Sequence, residues 1–162
     1  MVPILENVYA EPDYRAERLA DTAIAWFSAV AGPQNRDLNR TLLQLHRDSA
    51  MLFRQPVRGA IHDHLLNVFR WISANKCDAV GAAPLRRLID LGLEQVPAQG
   101  LDSDFGKVSY ISFLFMLGSG LAADPVHGWV GRALEIPDAG DARAERLHAM
   151  AMATLGDFLA HR

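Results

Sequence analysis

Residues Asp104–Leu117, DFGKVSYISFLFML, decide the fold of this sequence because they are apolar on nearly every side. A helix with apolar residues all round has to be surrounded by other elements, so we expect this segment at the centre of the molecule. Its β-branched and aromatic residues would also suit a buried strand, but the sequence offers no second strand to pair with it. Gly118 and Gly120 follow, and glycine commonly ends a helix in a left-handed conformation. The sequence therefore predicts a central helix over residues 104–117.

Three segments that precede this helix show apolar residues at helical spacing, bounded by proline and glycine. They predict helices over residues 14–30, 36–53 and 57–74, the first with Asp13 as its N-cap. The predicted apolar face of the first helix consists of Leu19, Ala23, Trp26, Phe27 and Val30. That of the second consists of Leu38, Leu42, Leu45, Ser49 and Leu52. That of the third consists of Ile61, Leu65, Val68 and Ile72.

Start signals for further helices lie on both sides of the central segment. Pro84 suits the first turn of a fourth helix, where its missing amide hydrogen costs nothing. Asp124-Pro125 predicts a short helix that ends near Glu135 and is anchored by Trp129, and Asp138 and Asp141 then open a final helix. No segment shows the alternation or turn dipeptides of a hairpin. We predict one all-α domain over residues 1–162, an irregular orthogonal bundle of six to seven helices around a central apolar helix.

The composition places the chain among ordinary globular proteins. Half of its residues are hydrophobic and 22% are charged, with a formal net charge of −3, which favours neither nucleic acid nor an anionic membrane as a partner. Cys77 is the single cysteine, so no internal disulfide is expected. The first residues lack a basic segment typical of a signal peptide, and the most apolar run, 108–117, is far shorter than the roughly 20 residues of a membrane span. We expect a cytoplasmic protein.

The spacing of the histidines argues against a metal site. In His62-Asp63-His64 the two imidazoles are two residues apart, so on an α-helix they point about 200° away from each other. They would flank the predicted apolar stripe on opposite sides and could not bind one ion together, and Cys77 has no second thiol to join it. Since no catalytic motif or phosphate-binding loop is present either, we expect no catalytic centre, no metal and no cofactor, and a non-enzymatic protein-interaction module.

The charges are distributed unevenly along the chain. Residues 1–31 have a balance of −3, residues 32–88 carry nine basic and four acidic residues, and residues 89–162 have a balance of −5. The basic stretch either forms a positive face for an acidic protein partner or packs on the acidic C-terminal half, and the sequence leaves both open. In the first case the predicted partner-binding residues are Arg47, Arg54, His64, Arg70 and Trp71, because arginine and tryptophan often dominate binding energy.

The C-terminal part of the chain resembles a group of small bacterial proteins. The apolar segment Phe105–Gly118 leads to the turn Asp124–Trp129, and the final helix contains Arg143, Arg146 and Leu147. This order is similar to that in the C-terminal half of small helical proteins encoded beside type VI secretion effectors in Gram-negative bacteria. The resemblance implies an adaptor or immunity role, in which the protein binds a secreted toxin or a component of the secretion machinery.

Two other function classes stay open at this stage. One is an enzyme whose acid–base residues are dispersed along the sequence and include His46, His127 and His148. The other is a helical regulator that binds a small ligand. A deep polar pocket with perturbed titratable groups would favour the enzyme, a flat or shallow exposed aromatic patch the interaction module, and a large apolar tunnel the ligand-binding protein.

Overall fold

In the computed structural model, every secondary-structure element of the described residues is helical. The structure describes residues 12–121, 124–135 and 141–161, with side chains from residue 16 onward. These ranges contain eight α-helices: α1 (Pro12–Ala31), α2 (Arg36–Phe53), α3 (Ile61–Ile72), α4 (Ala74–Val80), α5 (Ala82–Gln95), α6 (Asp104–Leu117), α7 (Gly128–Glu135) and α8 (Asp141–Ala160). Turns of 3-10 helix occupy Pro33–Asn35, Pro97–Gln99 and Pro125–His127. The all-α prediction is confirmed, and none of these described helices is long and apolar enough to cross a bilayer.

The structure has more helices than the six to seven predicted because a short helix, α4, occupies residues 74–80, just beyond the segment predicted as one helix over 57–74. Gly59 has a positive φ of 77°, so the chain turns there and α3 begins only at Ile61. Ser73 is extended and its side chain accepts a hydrogen bond from the backbone N–H of Lys76, which makes it the N-cap of the separate helix α4. Helix α4 was not predicted, although a serine before it and Gly81 after it are ordinary boundary signals.

Helix α6 is the most deeply buried element of the described chain. It contacts α2, α3, α5 and α8. The residues that it buries are Gly106, Val108, Ser109, Tyr110, Ile111, Ser112, Phe113, Leu114 and Phe115. Its N-cap is Ser103, whose hydroxyl accepts a hydrogen bond from the backbone N–H of Gly106, and Gly118 ends it with a φ of 111°. The predicted range of this helix is confirmed.

Two close contacts hold α6 against its neighbours. On α5, a β-carbon at Gly92 would lie only 2.7 Å from Cγ1 of Ile111, so glycine allows the two helices to approach. At the other end, Nζ of Lys76 donates a hydrogen bond to the carbonyl oxygen of Phe115 at 2.6 Å and lies 4.9 Å from the centre of its ring. Positive charge at a helix C-terminus is favourable because the last carbonyl groups are unpaired. Burial lowers the pKa of this lysine.

The first helix is less buried than its sequence pattern predicted. Trp26 is 40% exposed and Phe27 49% exposed, and Ala23 is exposed as well. Helix α1 contacts only α2, α4 and the turn between α1 and α2 closely, so part of its apolar surface has no neighbour in the described structure. The helix also includes Asp13, so the prediction that Asp13 is its N-cap is wrong.

Other start signals match the structure. Pro84 lies in the first turn of α5, which begins two residues earlier. The carboxylate of Asp124 accepts a hydrogen bond from the backbone N–H of Val126 and caps the 3-10 turn that leads into α7. Trp129 is buried and therefore serves as the anchor of α7. Asp141 is the first residue of α8, and Asp138 lies outside the described residues.

Truncation of Val68 tests the rotational phase of α3. Val68 is 3% exposed within the core, so Val68→Ala should lower the free energy of unfolding by about 2–3 kcal/mol through loss of buried methyl groups and the cavity left behind. Urea unfolding followed by circular dichroism measures the change. The neighbouring exposed residue provides the control, since Asn67→Ala should change it by less than about 0.5 kcal/mol. Equal effects of the two substitutions would contradict the packing of α3.

Removal of the Asp124 carboxylate tests the cap before α7. Asp124→Ala should lower the free energy of unfolding by about 1 kcal/mol, because the N–H of Val126 loses its acceptor at 2.9 Å. The exposed Asp102 caps no helix, and Asp102→Ala has the same charge change and should have a smaller effect. An Asp124→Ala protein as stable as the Asp102→Ala protein would show that the cap contributes nothing.

Candidate functional site

Four arginines lie on the solvent side of α2 and form a single basic face. Arg36, Arg40, Arg47 and Arg54 are spaced by four, seven and seven residues, which places them within about 40° of one another around the helix. Arg54 follows the last residue of α2 but keeps a right-handed helical conformation. All four are exposed, and they extend over about 27 Å of helix at 1.5 Å per residue. We call these four arginines the basic face.

Exposed apolar side chains are interleaved with the arginines. Leu43 is 58% exposed and Met51 69% exposed, and each lies within about 20° of the range that the arginines of the basic face occupy around the helix. A surface depression of about 1020 Å³ runs along the N-terminal half of α2. Its lining consists of Gln34, Arg36, Asn39, Arg40, Leu43, Gln44, His46 and Arg47. Large apolar side chains among fixed positive charges are typical of a surface that another protein covers.

The arginines of the basic face differ in their ion pairs. Arg47 is paired with the adjacent Asp48 through two hydrogen bonds of 2.7 and 2.8 Å, and this lowers the pKa of the Asp48 carboxyl group. Both groups are at the surface, where such pairs contribute little to stability. Arg36 and Arg40 have no ion pair with any described residue. They are therefore the arginines of this face with the most charge available to a partner.

Arg54 connects the basic face to the acidic C-terminal half. Its Nη2 atom lies 2.5 and 2.6 Å from the two carboxylate oxygens of Glu145 on α8. Its guanidinium carbon lies 4.5 Å from the centre of the Phe105 ring, within the range of a cation–π contact. The structure thus contains both of the arrangements that the sequence left open. Arg54 pairs with the acidic C-terminal half, whereas Arg36 and Arg40 face outward.

His64 and Trp71 lie together, as the phase predicted for their helix required. They line a hollow of about 320 Å³ with residues from the end of α2, including Met51 and Gln55. His62 lies on the other flank of α3, with Nε2 2.7 Å from a carboxylate oxygen of Asp90, so the predicted separation of the two histidines is confirmed. Nε2 of His64 is buried and has no hydrogen-bond partner among the described residues.

The five predicted partner-binding residues therefore do not form one continuous group in the structure. Arg47 and Arg54 belong to the basic face, and His64 and Trp71 line the hollow that adjoins it at Met51. Arg70 is not part of the lining of that hollow, and its Nη2 lies 3.6 Å from a carboxylate oxygen of Asp78 on α4. Whether these residues bind a partner stays a prediction.

The three histidines considered for an enzyme occupy different surroundings. His46 lines the depression on α2, His127 lines an apolar cavity, and His148 is buried at 7% exposure. Nε2 of His148 lies 2.9 Å from Oγ of Ser49, a residue on the predicted apolar stripe of α2. The Ser49 hydroxyl also lies 3.1 Å from the sulfur of Met152.

A serine paired with a histidine is the arrangement of an activated nucleophile, but this serine is only 1% exposed. The rings of Phe53 and Phe105 lie beside the imidazole, with centroids 5.9 and 5.8 Å from its own. A nucleophile has to reach its substrate, and this hydroxyl lies inside the contact between α2 and α8. We interpret the pair as a buried hydrogen bond that joins these two helices, which are 99 residues apart at this point.

An apolar cavity of about 330 Å³ lies between four segments of the fold. Helix α2 contributes Leu42 and Leu45, and α6 contributes Phe113, Met116 and Leu117. The segment 125–135 contributes His127 and Trp129. Helix α8 contributes Ala151, Met152, Thr154, Leu155 and Phe158. His127 and Thr154 are the polar exceptions in this lining, and we call this space the apolar cavity.

Comparison with known proteins identifies no relative. No protein-family model, no curated protein and no solved structure matches this chain. We therefore infer function from the geometry of the two candidate regions, the basic face and the apolar cavity.

Two parts of these regions were missed by sequence reasoning. Arg36 and Arg40 belonged to the basic stretch but not to the predicted partner-binding set, although their spacing from Arg47 and Arg54 was a sufficient signal. The apolar cavity had no such signal, because its lining comes from segments that are distant in the sequence.

The buried His148 should make stability depend on pH. Burial lowers its pKa below the ordinary value of 6.5, with Glu145 acting in the opposite direction. The unfolded chain therefore binds more protons than the folded one near and below pH 6.5, so stability should fall as the pH is lowered through this range. The contribution of one group cannot exceed about 1.4 kcal/mol per pH unit.

Urea unfolding at pH 7.5, 6.5 and 5.5 measures this effect in the wild type and in His148→Gln. Glutamine keeps a hydrogen bond to Ser49 within reach but does not titrate, so the variant should lose less stability between pH 7.5 and 5.5. The other five histidines are the same in both proteins and cancel in the comparison. Parallel pH profiles would show that His148 is not the titrating group.

Proposed function

We propose that this protein is a non-enzymatic interaction module whose basic face binds an acidic surface of a protein partner. The observation that carries the proposal is the alignment of Arg36, Arg40, Arg47 and Arg54 on one exposed side of α2. Arginine combines directed hydrogen-bond donors with apolar surface and recognises carboxylates in bidentate geometry. In this proposal the irregular orthogonal bundle around α6 is a rigid support that presents the basic face to solvent.

The resemblance of the C-terminal part supports a more specific form of the proposal. The protein would then act as an adaptor or immunity protein that binds a secreted toxin or a component of a secretion system. The hollow with His64 and Trp71 adjoins the basic face at Met51 and offers space for one anchoring side chain of the partner. An aromatic wall beside a charged rim is a common arrangement in protein interfaces.

Reversal of two arginine charges tests the basic face. The products of neighbouring genes are purified and their dissociation constants for this protein are measured at about 50 and 300 mM salt. We expect Arg36→Glu combined with Arg40→Glu to weaken binding at least tenfold, because an interface arginine that contributes typically accounts for more than about 1 kcal/mol. Wild-type binding should weaken with salt, since exposed charges are screened over roughly 8 Å at physiological ionic strength.

The control is the reversal of two exposed arginines on other helices, Arg87→Glu combined with Arg132→Glu. It changes the net charge by the same amount and should leave affinity within about threefold, apart from a small long-range effect. Trp71→Ala tests the hollow separately. A complex that is equally weakened by both double reversals would contradict a specific role of the basic face. Equal affinity for a DNA duplex and for the protein partner would contradict recognition of an acidic protein.

A further inference from the structure

The solvent side of α2 has a row of six exposed residues with the spacing of a coiled-coil seam. Successive members are separated by four, three, four, three and four residues, the alternation that aligns the a and d positions of a heptad repeat. We call these six residues the outer row: Arg36, Arg40, Leu43, Arg47, Ala50 and Arg54. The outer row therefore consists of the basic face and two apolar residues that lie between its arginines.

The composition of the outer row differs from that of an ordinary solvated helix side. Every helix has positions at this spacing on its outer side, and charges of both signs commonly alternate there. Here the row contains four arginines, one leucine and one alanine, with neither an acidic residue nor a lysine. Arginine is more weakly hydrated than lysine and is preferred in interfaces, and the 58% exposed Leu43 lies among these arginines. This composition is typical of a helix side that a partner covers.

The interval between the arginines favours a helix as the element that covers them. Arg40, Arg47 and Arg54 follow one another at intervals of seven residues, which is about 10.5 Å along the helix axis. Residues seven apart on a second α-helix have the same interval. On an extended strand, side chains of one side recur every roughly 6.7 Å, so a strand in step with Arg40 and Arg54 is out of step at Arg47. A helix can thus offer a carboxylate to each of these three arginines.

The charge of the outer row favours an acidic helix over a second copy of α2. Two outer rows packed on each other would place arginine near arginine, and like charges across an interface are unfavourable. Carboxylates at seven-residue intervals would instead accept bidentate hydrogen bonds from the guanidinium groups. Arg36 and Arg40 have no ion pair with any described residue, so no described carboxylate competes for them.

We propose that the outer row binds an amphipathic α-helix of the partner whose glutamates, at intervals of seven residues, face Arg40, Arg47 and Arg54. Leucines between the glutamates face Leu43 and Ala50. This inference rests on the proposed function and adds the form of the acidic surface that the basic face binds. The outer row drifts by about 20° per heptad around α2, and a partner helix follows this drift by winding in a left-handed supercoil.

Synthetic helical peptides of about 25 residues, long enough to be helical in isolation, test the proposal without a partner protein. The test peptides have glutamates at intervals of seven residues on an alanine- and glutamine-rich helix. Leucine follows each glutamate by three residues in one test peptide and by four in the other, which match a parallel and an antiparallel partner. The control peptide has the same composition with glutamates at intervals of five residues, so that they are distributed around the helix.

Fluorescence anisotropy of the labelled peptides measures their affinity for the full chain, and circular dichroism checks that they are equally helical. At least one test peptide should bind at least tenfold more tightly than the control peptide. Equal affinities of all three peptides, or no binding of any, would overturn the proposal. If the peptides do not differ but Arg36→Glu with Arg40→Glu still weakens the complex with a neighbouring gene product, the helical partner is rejected and the proposed function is retained.

Charge reversal tests whether the peptide lies on the outer row. Arg40→Glu combined with Arg47→Glu should weaken binding of the better test peptide at least tenfold and should create binding of a peptide with lysines in place of the glutamates. Arg87→Glu combined with Arg132→Glu has the same charge change elsewhere and should leave the preference for the glutamate peptide intact. A lysine peptide that binds both double variants equally would contradict binding at the outer row.

A larger side chain at Ala50 tests the apolar part of the outer row. Ala50→Leu should tighten binding of the better test peptide at least threefold, because leucine adds apolar surface that the peptide buries. Ala153→Leu makes the same change at an exposed position of α8 and should leave the affinity unchanged. Equal affinities of these two variants would contradict packing of the peptide between the arginines.

Discussion

The burial of α6 is the constraint on which the rest of this structure depends. Its residues from Val108 to Phe115 are all buried, so the helix has no side that can face water. Helices α2, α3, α5 and α8 each have to present an apolar face to it, and the spacing of their apolar residues follows from that requirement. Gly92 allows one neighbour to come close enough, and Lys76 satisfies the carbonyl groups where the helix ends.

The same constraint determines where the charged surface lies. Helix α2 places Leu45, Ser49 and Leu52 against the core, and its opposite side is left to solvent. The arginines of the basic face occupy that side, about 140–180° away from Leu45 around the helix. Because packing on α6 determines the rotation of α2 about its axis, the direction in which the arginines point is a consequence of core packing. A change in the core contacts of α2 would therefore alter the presentation of its charges.

The sequence predicted those parts of the fold that depend on local chemistry. The ranges of α2 and α6 were correct because each has strong periodicity or continuous apolar character and is followed by a clear stop signal. The extra helix α4 was missed because its seven residues are too few to show a clear apolar periodicity, although Ser73 and Gly81 bound it. The burial of α1 was overestimated, since periodicity shows which side of a helix is apolar but not whether a neighbour covers it.

The candidate sites also contain some features that could be predicted from the sequence and others that could not. The shared flank of His64 and Trp71 could be predicted because it depends only on helical geometry within α3. The hydrogen bond between Ser49 and His148 and the lining of the apolar cavity could not, because they join residues about 100 positions apart. Such contacts depend on the angles at which helices cross, and these angles are set by side-chain packing that a single sequence does not specify.

The ion pair between Arg54 and Glu145 has a thermodynamic consequence. Arg54 belongs to the basic face, whereas Glu145 lies on α8, the helix that supplies five residues of the apolar cavity. A carboxylate that engages Arg54 competes with Glu145 for the same guanidinium group. The free energy of the Arg54–Glu145 pair is therefore subtracted from the free energy of such binding, and a surface pair of this kind contributes at most about 1 kcal/mol. Within the protein, the Arg54–Glu145 pair thus weakens partner binding at this end of the basic face, whereas no described residue competes for Arg36 and Arg40 in an ion pair.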